Sequence, residues 1–208
     1  VLDAMYDRAD KFELILCRHE GGAAYMAEAW GKLTGTPGIC FVTRGPGATN
    51  ASIGIHTAMQ NSSPMLVFVG QVGTDMRGRE AFQEIDYTHF FGKVAKWVCE
   101  INDADRIPEL IARAWTTALS GRPGPVILAL PENMLRAASA RPPCVPVKVP
   151  EPALSSAQIT QLKDYLCAAQ RPVVLYGGSG WTVTAARQLE TFAAANDVPL
   201  VAAFRYHD

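Results

Sequence analysis

The chain has 208 residues, 49% of them hydrophobic and 19% charged. That balance excludes a disordered polymer and suffices for one good core with part of a second. Nineteen Lys and Arg against 20 Asp and Glu leave a formal charge of −1, which argues against a nucleic acid or an anionic membrane held by bulk charge. Apolar runs such as Met65–Val69 fall far short of the roughly 20 residues that span a bilayer, so no membrane partner is expected. The five cysteines (Cys17, Cys40, Cys99, Cys144, Cys167) are an odd set without a CxxC pair. Reduced thiols in a cytoplasmic protein are therefore the expectation, with neither a disulfide framework nor a zinc site. No charged stretch followed by an apolar one opens the chain, so no signal peptide is expected.

In chain order, Val1, Leu2, Met5 and Ala9 stand at helical spacing. Phe12–Cys17 is a short apolar run that predicts a strand, and Ala23–Lys32 is rich in good helix formers. Gly38–Thr43 predicts a strand, Arg44–Gly47 a loop, Ala48–Gln60 a helix and Pro64–Gly70 a third strand. Gln71–Gln83 lacks periodicity and reads as a long loop. Arg106–Leu119 places Ile107, Leu110, Ile111 and Ala114 on one helical face. Gly121–Pro125 is a turn, and Val126–Leu130 a fourth strand. Short β-rich runs alternating with helices predict an α/β fold, a parallel sheet flanked by helices on both faces. Right-handed crossovers put the carboxyl ends of the strands on one edge. Residues 141–152 then hold five prolines (142, 143, 146, 150 and 152), a density that favours extended chain. The organisation expected is a domain over 1–138, a proline-rich linker over 139–153, and the opening of a second α/β domain over 154–208. In the latter, Ser156–Ala169 and Val183–Asn196 predict helices, Pro172–Tyr176 and Pro199–Phe204 strands, and Gly177–Gly180 a turn.

Open parallel sheets bind ligands where their strands end. Three loops of the first domain fall there. His19–Gly22 presents Glu20 directly off an expected strand, where desolvation would raise its pKa for acid or base work; the alternative role is interaction with the following helix dipole. Gly45-Pro46-Gly47-Ala48-Thr49-Asn50 lets a ligand approach backbone at a helix N-terminus, although it is neither a P-loop nor GxGxxG. Gln71–Gln83 is the third. Its charge run, Asp75, Arg77, Arg79 and Glu80, reads as a solvated face. His19, His56, His89 and His207 are scattered, so no metal site made by this chain alone is expected. The four tryptophans read as core or interface aromatics.

Together the loops are far more specific than any one alone. Arg18-His19-Glu20 with Gly22-Ala23-Ala24 and Met26-Ala27-Glu28 forms one block. Thr43-Arg44-Gly45-Pro46-Gly47-Ala48-Thr49-Asn50 forms the second, Gly70-Gln71-Val72 with Glu80-Ala81-Phe82-Gln83-Glu84 the third, and Gly121-Arg122-Pro123-Gly124-Pro125-Val126 closes the domain. In this order they resemble the pyrimidine-binding domain of thiamine-diphosphate enzymes of the acetolactate synthase type. The segment after the linker resembles the start of that family's Rossmann-like central domain.

The resemblance implies thiamine diphosphate as cofactor and a 2-keto acid as substrate, in a decarboxylase or carboligase. It implies that Glu20 hydrogen-bonds N1′ of the aminopyrimidine, favours its imino tautomer and so promotes loss of the C2 proton. It further implies that Pro46, Gly47, Asn50 and Gln83 contact the cofactor and that Phe82 and Gln83 line the substrate side. Arg122, with Gly177 and Gly178, matches positions near FAD in flavin-bearing members. Diphosphate and Mg2+ are held in the family by a C-terminal domain whose Gly-Asp-Gly motif is not found here, and the sites form between subunits of a homo-oligomer. The family's domain also begins with a strand and a Gly-x-Pro-Gly loop, whereas this chain enters inside the helix that follows; activity of these 208 residues alone is therefore not expected. Where the family typically carries Pro-Lys, this chain has Pro131-Glu132, an anion for a cation, so a related decarboxylase or acyltransferase competes. A non-catalytic ligand-binding or regulatory module is the alternative from another class, and a structural subunit that dimerises through its exposed helices is a third.

Overall fold

The computed structural model describes residues 1–145, 147–150 and 152–206. Pro146 of the proline-rich stretch and His207 therefore lie outside the described residues. By its internal contacts the chain divides into two compact units, Val1–Val149 and Pro150–Asp208.

The first unit is built on four parallel strands: β1 (Gly38–Val42), β2 (Met65–Gln71), β3 (Trp97–Glu100) and β4 (Pro125–Pro131), in the spatial order β1-β2-β4-β3. Side chains alternate across a strand, and here both faces are covered, which is why β2 and β4 read as unbroken apolar runs. Met65, Val67 and Val69 with Ile127 and Ala129 face α2 (Glu20–Thr34), α3 (Pro46–Asn61) and α4 (Tyr87–Phe91). Leu66, Val126, Leu128 and Leu130 face α5 (Ile107–Leu119) through Leu110, Ala114 and Ala118. A short helix, α1 (Leu2–Tyr6), precedes these elements.

The ends of the helices follow from local chemistry. Nδ1 of His19 caps α2 by accepting from the Gly21 N–H at 3.0 Å, and Gly35 closes that helix in the left-handed conformation. Pro46 sits in the first turn of α3, where its missing N–H costs nothing. Against β2, α2 and α3 cross closely. A Cβ on Gly54 would lie 2.6 Å from the Cβ of Ala24, so this glycine is what lets the two backbones meet.

Two elements depart from the sequence reading. Phe12–Cys17 forms no strand, and Phe12, Leu14, Ile15 and Leu16 are exposed. A strand exists only through a ladder partner, and no described strand pairs with this segment. The fourth strand of the sheet is instead Trp97–Glu100, which pairs with β4 from Val126 to Ala129.

The second unit contains α6 (Ser156–Ala168), β5 (Val174–Tyr176), α7 (Val183–Ala195) and β6 (Leu200–Ala202). Its two strands pair in parallel, Val174 opposite Leu200. A Ser155–Gln158 capping box starts α6, and the hydroxyl of Thr182 caps α7.

Candidate active site

The carboxyl edge of the four-stranded sheet gathers the three loops singled out by sequence. Glu20 is the first residue of α2 and Asn50 lies in the first turns of α3. Nδ2 of Asn50 donates to Oε2 of Glu20 at 3.1 Å, joining the first loop to the second. The other oxygen, Oε1, lies beside Gly47, where a Cβ would come within 3.4 Å of it and 2.7 Å of the Thr43 methyl. A side chain there would fill the space next to the carboxylate; glycine keeps it clear.

The third loop touches the second at Gly45. A Cβ on Gly45 would stand 2.7 Å from that of Gln83. Both residues have positive φ, 59° and 66°, and for Gln83 that is a strained conformation of the kind found where a loop is over-determined by its surroundings. Phe82 is 78% exposed, presented outward beside it. What fixes this loop is a polar frame. Glu84 accepts from the N–H of Gly78 at 2.8 Å and of Ala81 at 3.3 Å, and Arg77 spans Glu84 and Glu100. Fully buried Gln71 donates to the Ile85 carbonyl at 2.9 Å. Arg77 is thus a structural clasp, although the sequence reading placed it on a solvated face.

The electrostatics of Glu20 correct one expectation. Its pKa lies below the usual carboxylate value, first because Asn50 donates to it and then because of its own backbone N–H, with burial acting weakly in the opposite direction. The raised pKa expected from a desolvated strand end does not arise, because Glu20 stands on a half-open helix N-terminus. The carboxylate is ionised at neutral pH, with Oε2 bound by Asn50 and Oε1 beside Gly47.

One residue of this edge, Tyr87, carried no local sequence signal. Tyr87 is buried, and its hydroxyl accepts from the Gly45 N–H at 3.0 Å and donates to the Gly70 carbonyl at 3.1 Å, tying the second loop to the end of β2. Arg44 pairs with Glu132 across the sheet edge. Arg122 is committed to the C-terminus of α3: Nε donates to Ser62 Oγ at 2.8 Å and Nη2 to the Met59 carbonyl at 2.7 Å. Its described role is a helix cap, at a distance in sequence from the three loops. Gly177 and Gly178 lie in the other unit. Gly177 packs against Ala203 and Tyr206 and accepts from the Trp181 indole at 3.0 Å, while Gly178, at φ 85°, borders open space. Among the described residues no three His, Cys, Asp or Glu side chains gather as metal ligands, and no helix is long and apolar enough to cross a membrane.

Residues 1–90 match the family model described as "Thiamine pyrophosphate enzyme, N-terminal TPP binding domain". Over these residues the chain is similar to the thiamine pyrophosphate enzymes. All three loops of the carboxyl edge fall within that match. Beyond it, the chain is 35% identical over 199 residues to the acetolactate synthase isozyme 2 large subunit of Escherichia coli, covering 96% of this chain and 36% of that protein. It is 38% identical over 193 residues to the isozyme 3 large subunit of the same organism, covering 90% and 34%. The mitochondrial acetolactate synthase catalytic subunit of Saccharomyces cerevisiae is 38% identical over 193 residues, covering 86% and 28%. The chain thus spans about a third of the length of these relatives.

Proposed function

We propose that this chain provides the cofactor-activating half of a thiamine-diphosphate-dependent 2-keto acid decarboxylase or carboligase resembling acetolactate synthase. One observation carries the reading: Glu20 Oε2 is held by Asn50 while Oε1 faces the space that Gly47 keeps free of a Cβ. The residues present fit the group. A flat heterocycle lying along Gly47 would meet Oε1 with a ring nitrogen, Pro46 and Asn50 would border it, and Gln83 would close the side next to Gly45. When bound, thiamine diphosphate supplies a carbon nucleophile and an electron sink for decarboxylation.

The chain's own residues orient that chemistry and move one proton. Asn50 aims the Glu20 carboxylate by fixing Oε2, so that Oε1 is the atom that holds or releases a proton. A ring laid over Glu20 removes water from it, which favours the neutral acid against the hydrogen bond from Asn50. Gln83 and Phe82 present the third loop to the incoming keto acid. Exposed Tyr25, Met26, Trp30 and Leu33 on α2 and Ile53 on α3 support a composite site completed by a second copy. Diphosphate and Mg2+ are assigned to residues of another part of the protein. Glu132 beside the site, where the family typically carries a lysine, keeps a related decarboxylase or acyltransferase of the same superfamily as the second reading.

The test is Glu20→Gln in the full-length protein. Glutamine retains the hydrogen-bonding shape but cannot deliver a proton. Exchange of the C2 hydrogen of bound thiamine diphosphate, followed by NMR after an acid quench, is expected to slow by about a hundredfold or more, with the cofactor affinity within a few-fold of the parent. Unchanged exchange would remove Glu20 from this role.

A further inference from the structure

Arg44 follows β1 and Glu132 follows β4, two strands separated by β2. Register brings them level: Val42 lies opposite Val69, Val69 opposite Ala129, and Gln71 opposite Pro131. The Arg44 side chain therefore crosses the end of β2, and its Nη1 donates to Oε1 of Glu132. Both residues stand on anchored backbone. The N–H after Arg44 is bound by Tyr87, and the Glu132 N–H donates to the Gln71 carbonyl at 3.1 Å.

The pair does not explain itself as a fold device. Nε of Arg44 is buried with no hydrogen-bond partner among the described residues, which costs stability. The carboxylate on its other arm is 56% exposed, where an ion pair contributes little. Contrast Arg122, whose nitrogens are met by a hydroxyl and backbone carbonyls. The position is also not remote. Gly45, the next residue, abuts Gln83, and Gly47 abuts Glu20. A cation is therefore held at the mouth of the site by one water-exposed anion.

We propose that Arg44 takes the carboxylate of a monocarboxylic 2-keto acid and that Glu132 is the positioning residue that holds the guanidinium across the end of β2. This rests on the keto-acid reading above. A guanidinium is a planar fork that binds two acceptors at once, so one arm on Glu132 leaves the outward face for a substrate carboxylate. Glu132 also sets the substrate class. Its charge repels a second carboxylate on the ligand, so a keto dicarboxylate is disfavoured.

The test uses the full-length protein with pyruvate, its methyl ester and 2-oxoglutarate as probes, followed by ligand-observed NMR titration and turnover, with thiamine diphosphate affinity measured in parallel. The parent is expected to prefer pyruvate to the ester. Arg44→Met is expected to weaken pyruvate by about ten- to a hundredfold, erase its preference over the ester and leave cofactor affinity within twofold, with Arg44→Lys recovering part of the loss. Glu132→Gln is expected to raise KM for pyruvate more than it lowers kcat and to admit 2-oxoglutarate. Preference unchanged in Arg44→Met, with cofactor bound, overturns the assignment. Should Arg44→Met fail to fold, Glu132→Gln decides: an unmoved KM and continued exclusion of 2-oxoglutarate overturn it equally. A parent that binds thiamine diphosphate but neither binds nor converts any of these acids overturns the keto-acid reading itself, an outcome visible before any variant is made.

Discussion

Glu20 and Glu28 lie two turns apart on one helix, and what meets each carboxylate separates their roles. Glu28 is buried, and its Oε1 accepts from Asn61 at 3.0 Å and Ser63 at 2.8 Å, so it ties α2 to the end of α3. Glu20 has Oε2 bound by Asn50 and Oε1 beside Gly47. Residue type alone does not distinguish them; their partners do. The cysteines make the same point. Cys40 lies in β1 and is buried, and burial above all pushes its thiol up to about 11, whereas Cys144 and Cys167 are exposed. At pH 8 a thiol of that kind is about 0.1% thiolate, the reactive form. Brief treatment of the native protein with iodoacetamide at pH 8 is thus expected to label Cys144 and Cys167 and spare Cys40, as mapped by peptide mass. Equal labelling of Cys40 would mean that β1 is not held in the sheet as described.

At the scale of elements, the crossing of α2 on α3 is what brings Glu20 to Asn50. Gly54→Ala places its Cβ 2.6 Å from the Ala24 Cβ and 2.8 Å from the Ala24 carbonyl carbon, and backbone cannot yield as a flexible side chain would. A loss of about 1–3 kcal/mol is expected from the urea midpoint. Gly22→Ala, on α2 but with nothing within 4 Å of the new methyl, is the control, expected to be neutral or stabilising by up to about 1 kcal/mol. Equal effects at the two positions would refute the close crossing. The helices around this crossing, like β1, β2 and β4, were legible in the sequence because each is a continuous apolar or amphipathic run bounded by Gly, Pro or Asn. Phe12–Cys17 is just as apolar as Gly38–Val42, yet only the latter is a strand; pairing is a long-range property that composition does not carry. β3 escaped notice for the opposite reason. Trp97–Glu100 is four residues long and half-buried throughout, with an acidic end, so no apolar run announced it. The site divides the same way. Glu20, Gly47 and Asn50 sit in contiguous motifs and could be read. The Arg44–Glu132 pair, 88 residues apart, and the Tyr87 bridge exist only once the sheet is folded.

Across the molecule as a whole, four carboxylates among the described residues have pKa values held below their usual range: Glu20 by Asn50, Glu84 by the Gly78 N–H, Asp86 by His89, and Glu109 by Arg106. Each is lower folded than unfolded. Its contribution to stability is therefore complete above the ordinary carboxylate pKa, near pH 4–5, and is lost as pH falls through the lowered folded value. The four are not spread evenly. Glu84 and Asp86 frame the segment that carries Phe82 and Gln83, whereas β2 and β4 are held by apolar burial that acid leaves intact. Acid is thus expected to open the third loop before the sheet. Amide hydrogen exchange, compared as protection factors at pH 6 and pH 3, is expected to show protection lost at Gly78 and Ala81 and kept along β4. Glu84→Gln is expected to reproduce much of that loss at pH 6, because the neutral amide accepts more weakly from the two backbone N–H groups and no longer attracts Arg77. Loop protection that survives pH 3 would place the hold on the loop elsewhere, in Gln71 and the Tyr87 bridge. If the loop does open, Gln83 leaves Gly45 while Glu20 and Asn50 stay in place on their helices, so acid would separate the third loop from the first two before the fold is lost.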